Sequence, residues 1–403
     1  MTDKSRDYLN YPTFAPLPRG ISTAGDMAAE YSRAVELYDQ GAYSEAFVIF
    51  SRLARLGYAP AQNYLGVCYA TGNGVVQDHA QKVFWYRKAA EQGNATAQSN
   101  LGWCYANASG VEQNYAQAVF WYQKAAAQGD VTAQNNLGVC YQCGNGVEQD
   151  WAQAVFWYRK AAELGNATAQ SNLGWCCENG KGIEQDLAQA VFWYRKAAEQ
   201  GYTTAQCNLG WCYENGKGVE QDSAQAVFWY RKAAEQGFAR AQNNLGVCYA
   251  NGRGVAQDHA QKVFWYRKAA EQGYAIAQRN LGWCYANASG VEQDYAQAVF
   301  WYQKAAAQGD VTAQNNLGVC YANGKGVAQD HAQKVFWYRK AAEQGSAIAQ
   351  YNLGWCYNNG SGAEKDAAQA LYWYYKAADQ GDQDAQRALR IIIDERFPPA
   401  DKT

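Results

Sequence analysis

A chain of 403 residues in which 35 Lys and Arg meet 37 Asp and Glu carries a formal net charge of −2. No block of like charge interrupts it, which speaks against nucleic acid as the main partner. No apolar run approaches the ~18 residues of a membrane span, and the opening MTDKSRDYLNYPTF has no apolar signal core, so the expectation is a cytoplasmic protein without membrane insertion, export by a signal-less route aside.

In chain order, residues 1–21 carry Pro12, Pro16 and Pro18 with no helical period and read as a flexible N-terminal arm. Residues 22–57 form a degenerate capping repeat. In it Tyr31, Val35 and Leu37 precede a Gly41-Ala42-Tyr43 turn, and Phe47, Phe50 and Leu53 mark a second helix closed by Gly57. Residues 58–381 then repeat a 36-residue unit nine times, approximately AxAQxNLGxCYxxGxGVxQDxAQxVFWYxKAAxQG. Tryptophan recurs at Trp85, Trp121, Trp157, Trp193, Trp229, Trp265, Trp301, Trp337 and Trp373. A fixed period of this length means stacked units whose contacts run between neighbours, not one globular core. Residues 382–403 are a C-terminal capping helix and tail, with Ala385, Leu389, Ile392 and Ile393 on one face to about Phe397 and Pro398-Pro399 as the stop.

Each unit resolves into two helices, as the fourth illustrates. Asn166 is an N-cap, and Ala169, Leu173 and Cys176 share one helical face. Asn179-Gly180-Lys181-Gly182 breaks the helix, and Ile183 tucks the loop onto the core. Asp186 caps a second helix bearing Ala190, Trp193, Tyr194, Ala197 and Ala198, and Gly201 ends it. Small residues such as Gly174 and Ala190 let the pair approach closely, while Trp193 and Tyr194 fill the space between units. The result is an antiparallel helical hairpin, repeated.

Nine of the 12 cysteines (Cys68, Cys104, Cys140, Cys176, Cys212, Cys248, Cys284, Cys320 and Cys356) occupy one slot per unit. Equivalent helices of a stack lie about 10 Å or more apart, whereas bridged cysteines need Cα atoms within about 7 Å. The ladder therefore neither pairs nor gathers around zinc; it is expected as buried filler in a reducing compartment.

The segment LGWCYENGKGVEQDSAQAVFWYRKAAEQG (209–237) resembles the Sel-1-like repeat (SLR), a relative of the tetratricopeptide repeat. Its matching residues include Leu209, Gly210, Tyr213, Gly216, Gly218, Val219, Asp222, Ala226, Trp229, Tyr230, Lys232 and Gly237. The resemblance implies an all-α, right-handed αα superhelix with first helices on the concave side and second helices on the convex side. It also implies an adaptor or scaffold in signalling, protein quality control or bacterial interactions. Ala108 and Ala288 replace the first loop glycine, so those two turns should differ in shape, and Cys177 replaces a Tyr. No regular second helix holds a cysteine, which sets the chain apart from the cysteine-rich branch of the family. Segments 100–141 and 280–321 are identical except for Asn114 against Asp294, a duplicated block that makes array length the variable.

Catalytic, cofactor and metal sites are not expected. His79, His259 and His331 share a DHAQK context in separate units and read as exposed helix starts. Cys140-Tyr141-Gln142-Cys143 is a CxxC, but it sits at a helix C-terminus, where the dipole disfavours a thiolate. Asn94, Asn107, Asn166 and Asn287 match glycosylation sequons and read as capping or loop asparagines.

The expected binding face lies on the first helices. Asn100, Asn136, Asn172, Asn208, Asn244, Asn280, Asn316 and Asn352 form one slot, suited to a peptide backbone or to linking adjacent repeats. The next slot holds Trp103, Trp175, Trp211, Trp283 and Trp355, the residue type most enriched at hot spots. A second candidate is a convex ridge of Phe84, Phe120, Phe156, Phe192, Phe228, Phe264, Phe300 and Phe336, continued by Tyr372, which would also admit self-association. The reading is a non-enzymatic scaffold that holds a protein or peptide in its concave groove. The alternatives are an immunity or inhibitor protein for one toxin or enzyme, and a glycan-binding or hydrolytic enzyme using the aromatic surface.

Overall fold

The structure is a computed structural model that describes residues 23–396. The expected arm at 1–21, the tail from Phe397 with Pro398-Pro399, and the side chain of Ile393 lie outside the described residues. The chain divides into two compact units, the first ending at Asp186 and the second beginning at Leu187. The first holds α1 (Ala24–Asp39), α2 (Tyr43–Arg55), α3 (Ala59–Thr71), α4 (His79–Glu91), α5 (Ala95–Ala106), α6 (Tyr115–Ala127), α7 (Val131–Cys143), α8 (Trp151–Glu163) and α9 (Ala167–Asn179). The second holds α10 (Leu187–Glu199), α11 (Thr203–Asn215), α12 (Ser223–Glu235), α13 (Ala239–Asn251), α14 (His259–Glu271), α15 (Ala275–Ala286), α16 (Tyr295–Ala307), α17 (Val311–Asn323), α18 (His331–Glu343), α19 (Ala347–Asn359), α20 (Ala367–Asp379) and α21 (Gln383–Arg396). Within each unit a first helix packs on the second helix of its own repeat, and that second helix packs on the first helix of the next. This is the expected all-α solenoid pattern.

Local chemistry sets each boundary. In the third repeat Asp130 Oδ1 accepts from the Ala133 N–H at 2.7 Å, and Asp150 Oδ1 accepts from the Gln153 N–H at 3.0 Å. Gly144 ends α7 in the left-handed region at φ 73°. Val147 then packs onto the cluster of Ala118, Tyr122, Leu137 and Cys140, the role expected of the loop apolar residue. The second loop glycine is fixed by its neighbour: a Cβ on Gly146 would lie 2.3 Å from the Tyr115 carbonyl oxygen of the preceding repeat. Ala108 and Ala288 keep the left-handed conformation of the glycines they replace, at φ 53° and 54°. Their turns differ one residue earlier, where Asn107 and Asn287 leave the helix at φ −111° and −114°.

The glycine inside each first helix answers to packing. A Cβ on Gly138 would stand 2.6 Å from two ring carbons of Tyr158, so the ring lies flat across the backbone of its own hairpin partner. Tyrosine thus closes the hairpin as well as the space between repeats. The ladder cysteines are buried and free, as their single slot requires. At the ends, Thr23 and Asp26 make a reciprocal capping box at 3.1 Å, and Phe50 stacks on Tyr64 with ring centroids 4.9 Å apart. Ala385 and Leu389 of α21 are buried against α20.

Candidate functional site

The tryptophans of the first helices are the most exposed large apolar residues of that slot. Trp103, Trp175, Trp211, Trp283 and Trp355 are 38–49% exposed, while the Cys one residue on in each case is buried. The slot therefore faces solvent because the helix turns its cysteine inward. The asparagines one turn earlier are half-buried. Asn100, Asn172, Asn280 and Asn352 each donate from Nδ2 to the Oδ1 of Asn63, Asn135, Asn243 and Asn315 in the preceding repeat, at 3.0–3.2 Å. Asn208 accepts from Arg240, and Asn136 accepts from Asn135 at 3.4 Å. Asn244 lies 3.9 Å from the Cys207 sulfur. The asparagine slot thus links repeats through one side of the carboxamide beneath the tryptophan row.

Phe84 through Phe336 and Tyr372 are 41–48% exposed. Each ring meets the edge of the following Trp at 4.9–5.0 Å and lies under the ammonium of a Lys one turn on, from 4.5 Å at Phe120 to 5.8 Å at Phe84. The row is a mixed apolar and cationic stripe rather than a purely apolar ridge.

The remaining sequence candidates are structural. His79, His259 and His331 are exposed at the first position of their helices. Asn94 and Asn166 accept from the N–H of Ala97 and Ala169 at 2.8 Å, and Asn107 and Asn287 bond back to the carbonyls of Trp103 and Trp283 at 2.9 Å. Cys140 is buried and Cys143 exposed; burial, with Cys143 nearby, pushes the Cys140 thiol up to about 11. Burial likewise holds Cys68 and Cys176 up at about 12, far from the range of a reactive thiolate.

Two sets of residues are invisible to a pattern of apolar periods. The first is a buried glutamine relay. Gln242 is 3% exposed, donates from Nε2 to the Ala234 carbonyl of the preceding repeat at 3.0 Å, and accepts from Gln272 at 2.7 Å. The same relay joins Gln98 with Ala90 and Gln128, and Gln278 with Ala270 and Gln308. The second set is Lys82, Lys262 and Lys334, each only 3% exposed. Their Nζ atoms donate to Ser109, Ser289 and Ser361 of the following repeat at 2.7–2.8 Å and face the rings of Trp103, Trp283 and Trp355 at 5.4–5.6 Å. The signal was present in comparisons between repeats: this slot is Ala in the other six units, and a slot that accepts Ala at 0–1% exposure is core.

Among the described residues, no three His, Cys, Asp or Glu gather as metal ligands, and no helix is long and apolar enough to cross a membrane. The Sel1 repeat model matches nine consecutive segments, from residues 59–94 through 347–382. A Sel1 repeat protein from Oxalobacter formigenes is 34% identical over 76% of this chain and 89% of its own, with a TM-score of 0.59. A protective antigen of uropathogenic Escherichia coli with an SLR fold is 38% identical over 93% of this chain and 88% of its own, with a TM-score of 0.49. An immunity protein of Pseudomonas aeruginosa is 22% identical over 53% of this chain and 81% of its own, with a TM-score of 0.37. A comparison with curated proteins gave no match.

Proposed function

The chain belongs to the Sel1 repeat family, and we propose that it is a non-enzymatic scaffold whose first-helix face holds a protein or peptide partner. Sel1 repeats commonly mediate protein–protein interaction, and the family is generally non-enzymatic. The observation that supports this face over others is its exposed tryptophans, Trp103 and Trp175 in the first unit and Trp211, Trp283 and Trp355 in the second, 38–49% exposed, each on a rigid helix above a hydrogen-bonded asparagine or lysine layer. Rigid aromatic anchors are what an interface needs, because little side-chain freedom is lost when they are covered. Within each unit the repeats present the same helix face again and again, which suits holding an extended chain.

The test is substitution of Trp175 and Trp211 by Ala, after affinity capture from the native cell has identified the partner. A hot-spot tryptophan contributes ~2 kcal/mol or more, so each change should weaken the partner about 30-fold. Unchanged affinity with intact helical circular dichroism removes this face as the binding site.

A further inference from the structure

The buried lysines carry an inference that deepens the first-helix-face reading and rests on it. Lys262 lies in the wall of a cavity of about 240 Å³, with His259, Tyr266, Asn280, Trp283, Cys284 and Ser289. Asn280 and Trp283 belong to the proposed partner face, so the cavity opens beside the tryptophan row. The ammonium donates to Ser289 at 2.7 Å, Cys284 lines the same cavity, and Trp283 closes one side. An ammonium has three donors, and the hydrogen bond shown for this one goes to a neutral hydroxyl. Among the described residues Lys82, Lys262 and Lys334 take part in none of the ion pairs found, such as Arg253–Glu214 and Arg279–Asp310. A buried charge without a counter-charge is unfavourable, and only part of it is offset by the helix C-terminus that the serine loop follows.

The same arrangement is built three times, always across two consecutive repeats. Wherever the helix slot is Lys, the loop of the next repeat carries Ser. At four of the six Ala slots (Ala154, Ala190, Ala226 and Ala298) that loop carries Lys181, Lys217, Arg253 or Lys325, and Ala370 precedes no further repeat. Ala118 is followed by Asn145. Two cations never meet across this pair of slots, and at Ala118 with Asn145 neither slot is charged.

We propose that the cavity at Lys262, and the matching Lys, Ser and Trp sets at Lys82 and Lys334, each receive one carboxylate of an acidic side chain on an extended partner segment. The carboxylate would accept from a further ammonium N–H, and the side chain's methylenes would lie against the tryptophan. A single ammonium matches the single charge of a carboxylate better than a dianion, and the nearby Arg279, which donates to Asn280, is already paired with Asp310.

The full-length chain is titrated against fluorescein-labelled octaglutamate with an amidated C-terminus, read by fluorescence anisotropy. Octaglutamine with a free C-terminus is the comparison. The variant Lys82→Ala, Lys262→Ala, Lys334→Ala places at each site the residue found in the other six repeats, and a methionine triple keeps the apolar stem should alanine disturb folding. The expected result is binding of octaglutamate, at least tenfold weaker in either triple variant. Binding should be unchanged when the exposed Lys160, Lys232 and Lys304 are replaced by Ala, and octaglutamine should not bind. Absence of octaglutamate binding, equal loss in the exposed-lysine variant, or equal binding of octaglutamine would overturn the proposal. Should the captured partner bind the buried-lysine variants normally yet lose affinity for the Trp175 and Trp211 variants, the lysine sites fall while the tryptophan face stands.

Discussion

Gly138→Ala pits two effects of known sign against each other. Replacing a mid-helix glycine by alanine ordinarily stabilises by about 1 kcal/mol, because alanine gives up less chain freedom on folding. Here the new methyl would stand 2.6 Å from Cδ1 and Cε1 of Tyr158 and 3.2 Å from the Ala154 carbonyl oxygen. Apolar carbons rest at ~3.5–4.0 Å, so ring or helix must move by about 1 Å. The ring has no free space, since Tyr158 is 0% exposed, and its hydroxyl donates to Gln142 Oε1 at 2.6 Å. Overpacking of this kind costs about 1–3 kcal/mol, and weakening the hydroxyl bond adds up to about 1 kcal/mol. The net expectation is destabilisation by about 1–3 kcal/mol, measured by urea unfolding followed by circular dichroism. In a Tyr158→Ala background the clash is gone and the same change should become stabilising. A Gly138→Ala protein as stable as the parent would refute the packing argument.

Gln242→Leu removes both bonds of the buried relay and should lower stability by about 1–3 kcal/mol, with amide hydrogen exchange rising first where α12 meets α13. Alkaline pH should destabilise the array. Burial raises the native thiols of Cys68, Cys176 and Cys248 to about 12, above the ordinary value of 9.0. The stability they contribute is therefore full below pH 9 and is lost as pH rises from 9 toward 12, by up to about 1.4 kcal/mol per pH unit for each group that ionises only on unfolding. A urea midpoint independent of pH between 8 and 11 would contradict this. In the native protein near neutral pH, a thiol reagent should label Cys143 first, since the other 11 cysteines are buried; fast labelling of several would place the ladder at the surface.

What the sequence discloses is what the period repeats. The hairpins, the Asp caps, the left-handed glycines and the inward cysteines follow from spacing and residue type, as at Asp150, Gly144 and Cys140. What it hides is the inward turn of polar side chains. Gln242 and Lys262 look like surface residues on a helix, and only a carbonyl or a serine supplied by a neighbouring repeat makes their burial tolerable. The asparagine slot shows the same ambiguity: Asn280 suits a peptide backbone, but its Nδ2 already serves Asn243. The tryptophan exposure was legible because each Trp sits one residue before a Cys that must face the core.

The most direct measurement places a photo-crosslinking amino acid at Trp283 in one protein and at Phe264 in another, each irradiated with the captured partner bound. The account predicts a crosslinked partner band from position 283 and none from position 264. A band from 264 alone would move recognition to the second helices and contradict the assignment of the first-helix face.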